Sequence, residues 1–270
     1  MAKEKRYIEK DGQKFEVVWE KPKGLKEKPM HYCPGCAHGT LEKFIMEVLD
    51  EKELKHKTIG VAPVGCSVFA YDYMDVDMHE AAHGRATAVA TGISRVFPDH
   101  LVFTIQGDGD LAAIGTAETI HTCNRGENVI IFFVNNAIYG MTGGQMAPTT
   151  LGGQVTSSSP DGRNLATMGY PIKISDMVAM LPGTHYVTRV AFNNATNSRK
   201  AKKAIEKAIE YSLAKKGTCL VEIVGNCPSG WKMTPLESYD WWEDNMIPYY
   251  PLGDIKVDGK LVEKKEKGGK

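Results

Sequence analysis

The sequence contains no apolar run approaching the roughly 20 residues that a membrane-spanning helix needs. Its N-terminus, Met-Ala-Lys-Glu-Lys-Arg, lacks the apolar stretch of a secretory signal peptide. A surplus of either charge is also missing, because Lys plus Arg number 33 and Asp plus Glu number 33. Nucleic acids and anionic membranes favour a basic surplus in their protein partners. We therefore expect a cytoplasmic protein with no nucleic-acid partner and no membrane partner.

The length and composition favour a single domain. With 270 residues and 42% hydrophobic content, the chain can bury one core and a small appendage. Apolar runs alternate with helical stretches over residues 31–252, which favours an α/β fold with a mainly parallel sheet flanked by helices. Residues 1–30 and 253–270 are rich in charge and are predicted to be an N-terminal extension and a C-terminal tail. The strands are predicted at 58–61, 101–105, 129–134 and 219–224, and the helices at 41–49, 86–94, 114–123 and 198–216.

Polar residues follow two of the predicted strands. A Gly-Asp-Gly-Asp run containing Asp108 follows the strand at 101–105, and an Asn-Asn pair containing Asn136 follows the strand at 129–134. Open α/β sheets bind ligands at the carboxyl ends of their strands, and glycines there let the backbone approach a phosphate. The helix that follows Asp108 would direct its positive N-terminus at that anion. Because magnesium prefers oxygen ligands, Asp108, Asn136 and the carbonyl of Ile138 predict a magnesium-diphosphate site.

The cysteines form a second pattern. Cys33 and Cys36 make a Cys-x-x-Cys turn before a helix, whereas Cys66 and Cys227 lie singly in Gly/Pro-rich loops after predicted strands. Disulfides are rare in the cytosol, and four thiolates in loops can hold a cubane iron–sulfur cluster or a zinc ion. Zinc sites usually contain a second close pair of cysteines, so the spacing favours the cluster, with zinc and thioredoxin-like chemistry as alternatives. The remaining two are predicted to be buried structural residues: Cys123 and Cys219.

The first pattern resembles the thiamine diphosphate motif, which opens with Gly-Asp-Gly and closes with Asn-Asn. In that family the metal is bound by the Asp, by the second Asn and by a carbonyl two residues later. These positions correspond to Asp108, Asn136 and Ile138.

Together, the motifs resemble the beta, thiamine diphosphate-binding subunit of the 2-oxoacid:ferredoxin oxidoreductase family, of the 2-oxoisovalerate or 2-oxoglutarate type. The resemblance covers about residues 31–252 and is carried by Cys33-Pro34-Gly35-Cys36, Gly65-Cys66-Ser67, His83-Gly84-Arg85-Ala86, Gly107-Asp108-Gly109-Asp110, the run 136–145 and Cys227-Pro228. It implies the thiamine diphosphate-binding fold, with bound thiamine diphosphate, Mg²⁺ and one 4Fe–4S cluster.

The resemblance also implies roles for individual residues. The ligands of the cluster would be Cys33, Cys36, Cys66 and Cys227. The reactive end of the cofactor would be flanked by Val64, Gly65, Cys66, Ser67 and His83. Its diphosphate or the metal loop would be contacted by Gly109, Asp110, Gly140 and Met141. His83 would orient the substrate or move a proton, and the alternative is a hydrogen-bonded structural histidine at a helix start.

The implied reaction is the oxidative decarboxylation of a 2-oxoacid with coenzyme A to acyl-CoA, CO2 and reduced ferredoxin. Pyruvate-type enzymes carry a polar Asn where this chain has Met141, which favours a branched-chain 2-oxoacid or 2-oxoglutarate over pyruvate. The chain has no second α/β unit and no ferredoxin-like cysteine runs. We therefore expect an alpha subunit carrying the aminopyrimidine-binding domain, gamma and ferredoxin-like delta subunits, and an external ferredoxin. The alternatives are a subunit of a non-redox thiamine diphosphate-dependent decarboxylase, with structural or zinc-binding cysteines, and a cofactor-free subunit, which Asp108 and Asn136 disfavour.

Overall fold

The computed structural model describes residues 6–263, so the first five residues of the predicted extension and residues 264–270 of the predicted tail lie outside the described residues. The strands are β1 (Tyr7–Lys10), β2 (Gln13–Glu16), β3 (Thr58–Ala62), β4 (Asp77–Glu80), β5 (Leu101–Gly107), β6 (Ile130–Asn135), β7 (Thr184–Val190), β8 (Thr218–Val224), β9 (Gly253–Val257) and β10 (Lys260–Leu261). The helices are α1 (Ala37–Glu51), α2 (Ala70–Tyr73), α3 (Ala86–Val96), α4 (Thr116–Arg125), α5 (Leu165–Met168), α6 (Ile174–Ala179), α7 (Ala195–Leu213), α8 (Pro228–Trp231), α9 (Pro235–Trp241) and α10 (Ile247–Tyr249). Tighter or wider turns occur at Lys55–Lys57 (3-10), Asp110–Ile114 (π) and Trp242–Met246 (π).

One sheet organises the chain. Its strands run in the order β10-β9-β7-β8-β6-β5-β3-β4. Neighbours from β7 to β4 are parallel, whereas β9 pairs antiparallel with β7 and with β10. The expected α/β fold with a mainly parallel sheet is therefore confirmed. Because β3, β5, β6 and β8 are parallel, the loops that follow them all emerge at the same carboxyl edge.

Helices cover both faces of the sheet. Adjacent residues of a strand point to opposite faces, so Phe132 packs in the core with α1 and α7, while Phe133 packs in the core with α3, α4 and α6. Strands buried on both faces read as continuous apolar runs in the sequence. The helix α7 has the amphipathic pattern of a layer helix, and its N-cap Asn194 accepts from the amide of Asn197.

The predicted domain end at residue 252 needs correction. Residues Gly253–Val257 form an antiparallel edge strand against β7, and Lys256 is buried, with its Nζ donating to the carbonyl of Leu181 at 2.7 Å. The sequence did not predict this strand because it contains charged residues, which are typical of an exposed tail. In the structure Lys256 bonds the carbonyl of Leu181, and Asp254 accepts from the hydroxyl of Tyr186. The sheet therefore continues through Leu261.

The N-terminal strands form a separate hairpin. All residues of β1 and β2 are exposed, and within residues 6–263 the two strands pair only with each other. The assignment of residues 1–30 to an extension stays a prediction. Among the described residues, no helix is both long and apolar enough to cross a membrane.

Candidate active site

The loops at the carboxyl edge of β3, β5 and β6 enclose a cavity of about 330 Å³. Every residue predicted to contact the cofactor or magnesium lines this cavity, with the exception of Ser67. These lining residues are Val64, Gly65, Cys66, His83, Asp108, Gly109, Asp110, Asn136, Ile138, Gly140 and Met141. Ser67 is buried, and its hydroxyl has no hydrogen-bond partner among the described residues. The structure thus gathers the predicted residues at one place, while their roles stay predictions.

Three oxygen atoms converge at the wall of this cavity. Asn136 Oδ1 lies 2.8 Å from the carbonyl oxygen of Ile138 and 3.2 Å from Asp108 Oδ1. Three acceptors at this spacing need either an amide rotated so that its nitrogen donates, or a cation between them. Oxygen ligands at about 2.1 Å from an octahedral magnesium ion lie about 3 Å from one another. The spacing of this oxygen trio therefore fits Mg²⁺.

The neighbourhood of Asp108 holds its carboxylate in place. Thr149, which the sequence did not single out, donates its hydroxyl to Asp108 Oδ2, and the amide of Asn136 donates to Asp108 Oδ1 at 3.2 Å. Burial raises the pKa of Asp108 to about 7, against the lowering effect of these hydrogen bonds. A cation bound beside Asp108 would favour its charged form.

A strained turn presents the other two oxygens. Ala137 has a φ of 57°, a left-handed conformation that is unfavourable for a residue with a Cβ. Three side chains hold the turn: Asn135 Oδ1 accepts from the amide of Ala137 at 3.3 Å, Thr150 donates to the Ala137 carbonyl at 2.7 Å, and Trp231 donates to the Asn136 carbonyl at 3.0 Å.

Asn135 is itself oriented by a buried ion pair. Its Nδ2 donates to buried Glu222 at 2.7 Å, and Glu222 is paired with Arg189 at 2.6 Å. Each residue of the Asn-Asn pair therefore has its own place in the site. The side chain of Asn135 supports the turn, and that of Asn136 contributes to the oxygen trio.

Asp110 links its own turn to the loop of His83 and Gly84 and to strand β5. Its Oδ1 accepts from the amide of Gly84 at 2.8 Å and faces His83 Nδ1 at 2.9 Å, while its Oδ2 accepts from Gln106 at 2.6 Å. Because a carboxylate repels a diphosphate, this geometry favours a supporting role over the predicted direct contact. With Nδ1 of His83 directed at Asp110, Nε2 is the ring nitrogen available to a ligand in the cavity.

Four cysteines line an adjoining cavity of about 230 Å³: Cys33, Cys36, Cys66 and Cys227. The two cavities share part of their walls, namely Cys66, Asn136, Gly140 and Met141. The two other cysteines are fully buried in the core, one on each face of the sheet: Cys123 and Cys219. The structure therefore groups the four loop cysteines together and buries the other two, as the sequence pattern predicts.

Hydrogen-bond donors surround the four loop sulfurs. Backbone amides of Ala37 and His38 bond Cys36, that of Met141 bonds Cys66, and that of Gly230 bonds Cys227. The hydroxyl of Ser229 donates to Cys33 Sγ at 3.1 Å. In iron–sulfur proteins, amide and hydroxyl groups commonly donate hydrogen bonds to the cysteine sulfurs that bind the cluster. The residues present therefore fit such a cluster.

Glycines make room for this sulfur set. A Cβ at Gly140 would lie 2.9 Å from Cys227 Sγ, and a Cβ at Gly230 would lie 2.8 Å from the same atom. Burial raises the pKa of the Cys36 and Cys227 thiols to about 12 and that of Cys66 to about 11, so without a metal these thiols are protonated at neutral pH. Metal binding would displace those protons.

The spacing of the side chains bears on zinc. Among residues 6–263, no group of three or more His, Cys, Asp or Glu side chains is placed to hold a single metal ion. Zinc–sulfur bonds of about 2.3 Å would bring four sulfurs within about 4 Å of one another. A cluster spreads its ligands more widely, so the cysteine cavity fits a cluster better than it fits zinc.

Sequence reasoning missed several residues of the two cavities. His38 lines the first cavity, and its Nδ1 lies 3.1 Å from Cys36 Sγ. Its position two residues after Cys36 of the Cys-x-x-Cys turn was the available signal. Thr149 and Glu222 reach the site from distant parts of the chain, and nothing in the sequence near Asp108 or Asn135 indicates them.

Comparison with known proteins agrees with this geometry. Residues 63–223 match the model of the thiamine pyrophosphate enzyme, C-terminal TPP binding domain. Fold and site together thus define a thiamine diphosphate-binding enzyme domain.

The relatives narrow this class. The chain is 42% identical over 239 residues to the ketoisovalerate oxidoreductase subunit VorA of Methanothermobacter thermautotrophicus, covering 88% of this chain and 50% of that protein. It is 36% identical over 218 residues to the 2-oxoglutarate synthase subunit KorB of Archaeoglobus fulgidus, covering 80% and 77%. The solved 2-oxoglutarate:ferredoxin oxidoreductase from Magnetococcus marinus, with 2-oxoglutarate, coenzyme A and succinyl-CoA bound, is similar with a TM-score of 0.71 and 27% identity, covering 83% of this chain and 73% of that one. This chain belongs to the thiamine diphosphate-binding subunits of the 2-oxoacid:ferredoxin oxidoreductase family, which confirms the resemblance. It spans about half the length of the VorA relatives.

Proposed function

We propose that the chain is the catalytic, thiamine diphosphate-binding subunit of an enzyme that oxidatively decarboxylates a 2-oxoacid with coenzyme A, producing acyl-CoA, CO2 and reduced ferredoxin. The observation that carries the proposal is the shared wall of the two cavities. An oxygen trio suited to magnesium and a cysteine set suited to a cluster lie on opposite sides of the loop containing Asn136, Gly140 and Met141. A non-redox decarboxylase would have no use for a one-electron acceptor at this position.

In this proposal the first cavity holds thiamine diphosphate and Mg²⁺. Asp108, Asn136 and the Ile138 carbonyl would bind the ion, and Gly109 and Gly140 would let the backbone approach the diphosphate. The π-helical turn that begins at Asp110 leads into α4 and would face the same anion. When bound, thiamine diphosphate supplies the carbanion that adds to a keto carbon and the electron sink for decarboxylation.

The second cavity holds one 4Fe–4S cluster bound by Cys33, Cys36, Cys66 and Cys227. Such a cluster accepts electrons singly, which suits transfer to ferredoxin. All six cysteines are free, in keeping with a reducing, cytoplasmic compartment.

His83 is the side chain of the first cavity best placed to handle a proton. Asp110 holds its Nδ1 side at 2.9 Å, so Nε2 would orient the substrate or exchange a proton with it. Val64, Gly65 and Cys66 lie next to it on the cavity wall, and Ser67 is buried.

The lining favours an apolar substrate side chain. Among the described residues that line the first cavity there is no Lys or Arg to pair with the second carboxylate of 2-oxoglutarate. Val64, Ile114 and Met141 line the cavity and are partly exposed at its mouth. We therefore propose a branched-chain 2-oxoacid as the substrate, with 2-oxoglutarate second.

The proposed enzyme contains further chains. The relatives VorA and KorB are named as subunits. We propose an alpha subunit that supplies the aminopyrimidine-binding domain and covers the exposed apolar rim of the first cavity, together with gamma and ferredoxin-like delta subunits.

The test is anaerobic purification with any co-purifying chains, followed by analysis of iron, sulfide, zinc and thiamine diphosphate. We expect about four iron atoms for each copy of this chain, in addition to any iron held by the co-purifying chains. We also expect coenzyme A-dependent reduction of a viologen dye that is fastest with branched-chain 2-oxoacids. A Cys227→Ser variant should lose iron, and the matched Cys123→Ser variant should keep it. Stoichiometric zinc without iron, or CO2 release without dye reduction, would instead establish the non-redox decarboxylase.

A further inference from the structure

Two polar side chains lie within hydrogen-bonding distance of sulfurs of the cysteine cavity, in addition to the backbone amides. His38 Nδ1 lies 3.1 Å from Cys36 Sγ, and Ser229 Oγ donates to Cys33 Sγ at 3.1 Å. We propose that His38 and Ser229 set the reduction potential of the iron–sulfur cluster by donating hydrogen bonds to these two sulfurs. This inference rests on the proposed cluster.

His38 is held rigidly in the required orientation. It lies in the first turn of α1, is 3% exposed, and stacks on Tyr32 with ring centroids 5.2 Å apart and an interplanar angle of 19°. Tyr32 is fixed in turn, because its hydroxyl donates to the buried carboxylate of Glu42. A thiolate bound to iron only accepts hydrogen bonds, so Nδ1 of His38 must carry the proton when Cys36 is a ligand.

The two side chains approach the sulfurs from different parts of the site. His38 lines the first cavity and contacts Cys36, a residue of the cysteine cavity. Ser229, in α8, lines only the cysteine cavity, and its contact bridges segments far apart in the chain. Because they belong to separate elements, the two residues can be changed independently.

The expected effect follows from charge. Reduction adds one electron to the cluster, with no bond formed or broken, and places more negative charge on its sulfurs. A hydrogen bond to a sulfur therefore stabilises the reduced cluster more than the oxidised one and raises the potential. Removing either donor should make one-electron reduction about tenfold less favourable, a shift of about 59 mV to a more negative potential.

The experiment uses the full chain, reconstituted anaerobically with iron and sulfide and without thiamine diphosphate. Its potential is measured by dye-mediated titration, followed by the electron paramagnetic resonance signal of the reduced cluster. His38→Leu and Ser229→Ala should each lower the potential, and the double variant should show both shifts. His38→Asn and Ser229→Thr retain a donor and should stay near the wild-type value.

A third histidine variant provides the matched control. His31 lines the same cavity, but its Nδ1 lies 2.7 Å from the hydroxyl of Tyr73 instead of a sulfur, so His31→Leu should leave the potential unchanged. Unchanged potentials in His38→Leu and Ser229→Ala at full iron content would overturn the inference and leave the proposed function intact. A wild-type chain that assembles no cluster would overturn the proposed function itself. If His38→Leu fails to retain iron, Ser229→Ala alone decides by the same criterion.

Discussion

Replacing Asp108 tests the metal assignment most directly. Asp108→Ala removes one member of the oxygen trio and the only carboxylate within it. Removing one partner from a buried charge pair costs about 2 to 5 kcal/mol, which corresponds to about 30-fold to several-thousand-fold in affinity. We therefore expect thiamine diphosphate to bind at least about 30-fold more weakly in magnesium buffer, measured by titration calorimetry. The iron content should stay unchanged, because Asp108 does not line the cysteine cavity.

Two further variants separate the loss of a ligand from the loss of structure. Asp108→Asn retains an oxygen for the hydroxyl of Thr149 and lacks the charge, so it should weaken magnesium-dependent binding almost as much as alanine does. Thr149→Val removes the hydrogen bond to Asp108 Oδ2 and keeps the carboxylate, so it should weaken binding far less. If Asp108→Asn binds the cofactor with wild-type affinity and the same magnesium dependence, the oxygen trio is not a metal site.

Other outcomes can be measured in the same preparations. Gly140→Ala places a Cβ 2.9 Å from Cys227 Sγ, so the iron content should fall and the free energy of unfolding should decrease by about 1 to 3 kcal/mol. Full iron occupancy in this variant would contradict the prediction. Burial raises the pKa of Glu42 from 4.5 to about 7, so the wild type loses stability as the pH rises from about 5 to 8. Over that range the free energy of unfolding of Glu42→Gln, measured by chemical denaturation, should rise by up to about 3 kcal/mol relative to that of the wild type. Parallel curves of unfolding free energy against pH for the two proteins would refute this. The chain expressed alone, with cluster, magnesium and cofactor restored, should show no 2-oxoacid-dependent dye reduction, whereas robust turnover would show that no partner is needed.

The sequence predicted those parts of the fold whose burial leaves an uninterrupted apolar pattern. β5, β6, β8 and α7 were recognised for this reason, each within a few residues of its ends. The strand β7 was not, because it carries Arg189, a charged residue that the structure buries against Glu222. In the sequence alone, charged residues that pair inside a sheet cannot be distinguished from exposed ones.

The sequence also predicted those residues of the candidate site that lie in short motifs at the ends of strands. Asp108, Asn136 and the four loop cysteines lie in short motifs that directly follow strands, so the parallel sheet brings them together once its topology is known. The contact of Asp110 with the diphosphate or the metal loop stays a prediction, and its hydrogen bonds to the loops at Val64 and Gly84 were not predicted. Contacts between such distant segments have no local signature.

The loop that separates the two cavities also determines how variants will behave. Asn136, Gly140 and Met141 contribute to both walls, so a change at any of them alters the surroundings of the diphosphate and of the sulfurs at once. Kinetic effects at these positions will therefore mix cofactor affinity with the rate of electron departure. Thr149 contacts only the carboxylate side and Ser229 only the sulfur side. Paired measurements at those two residues can assign a slow turnover to one half-reaction or the other.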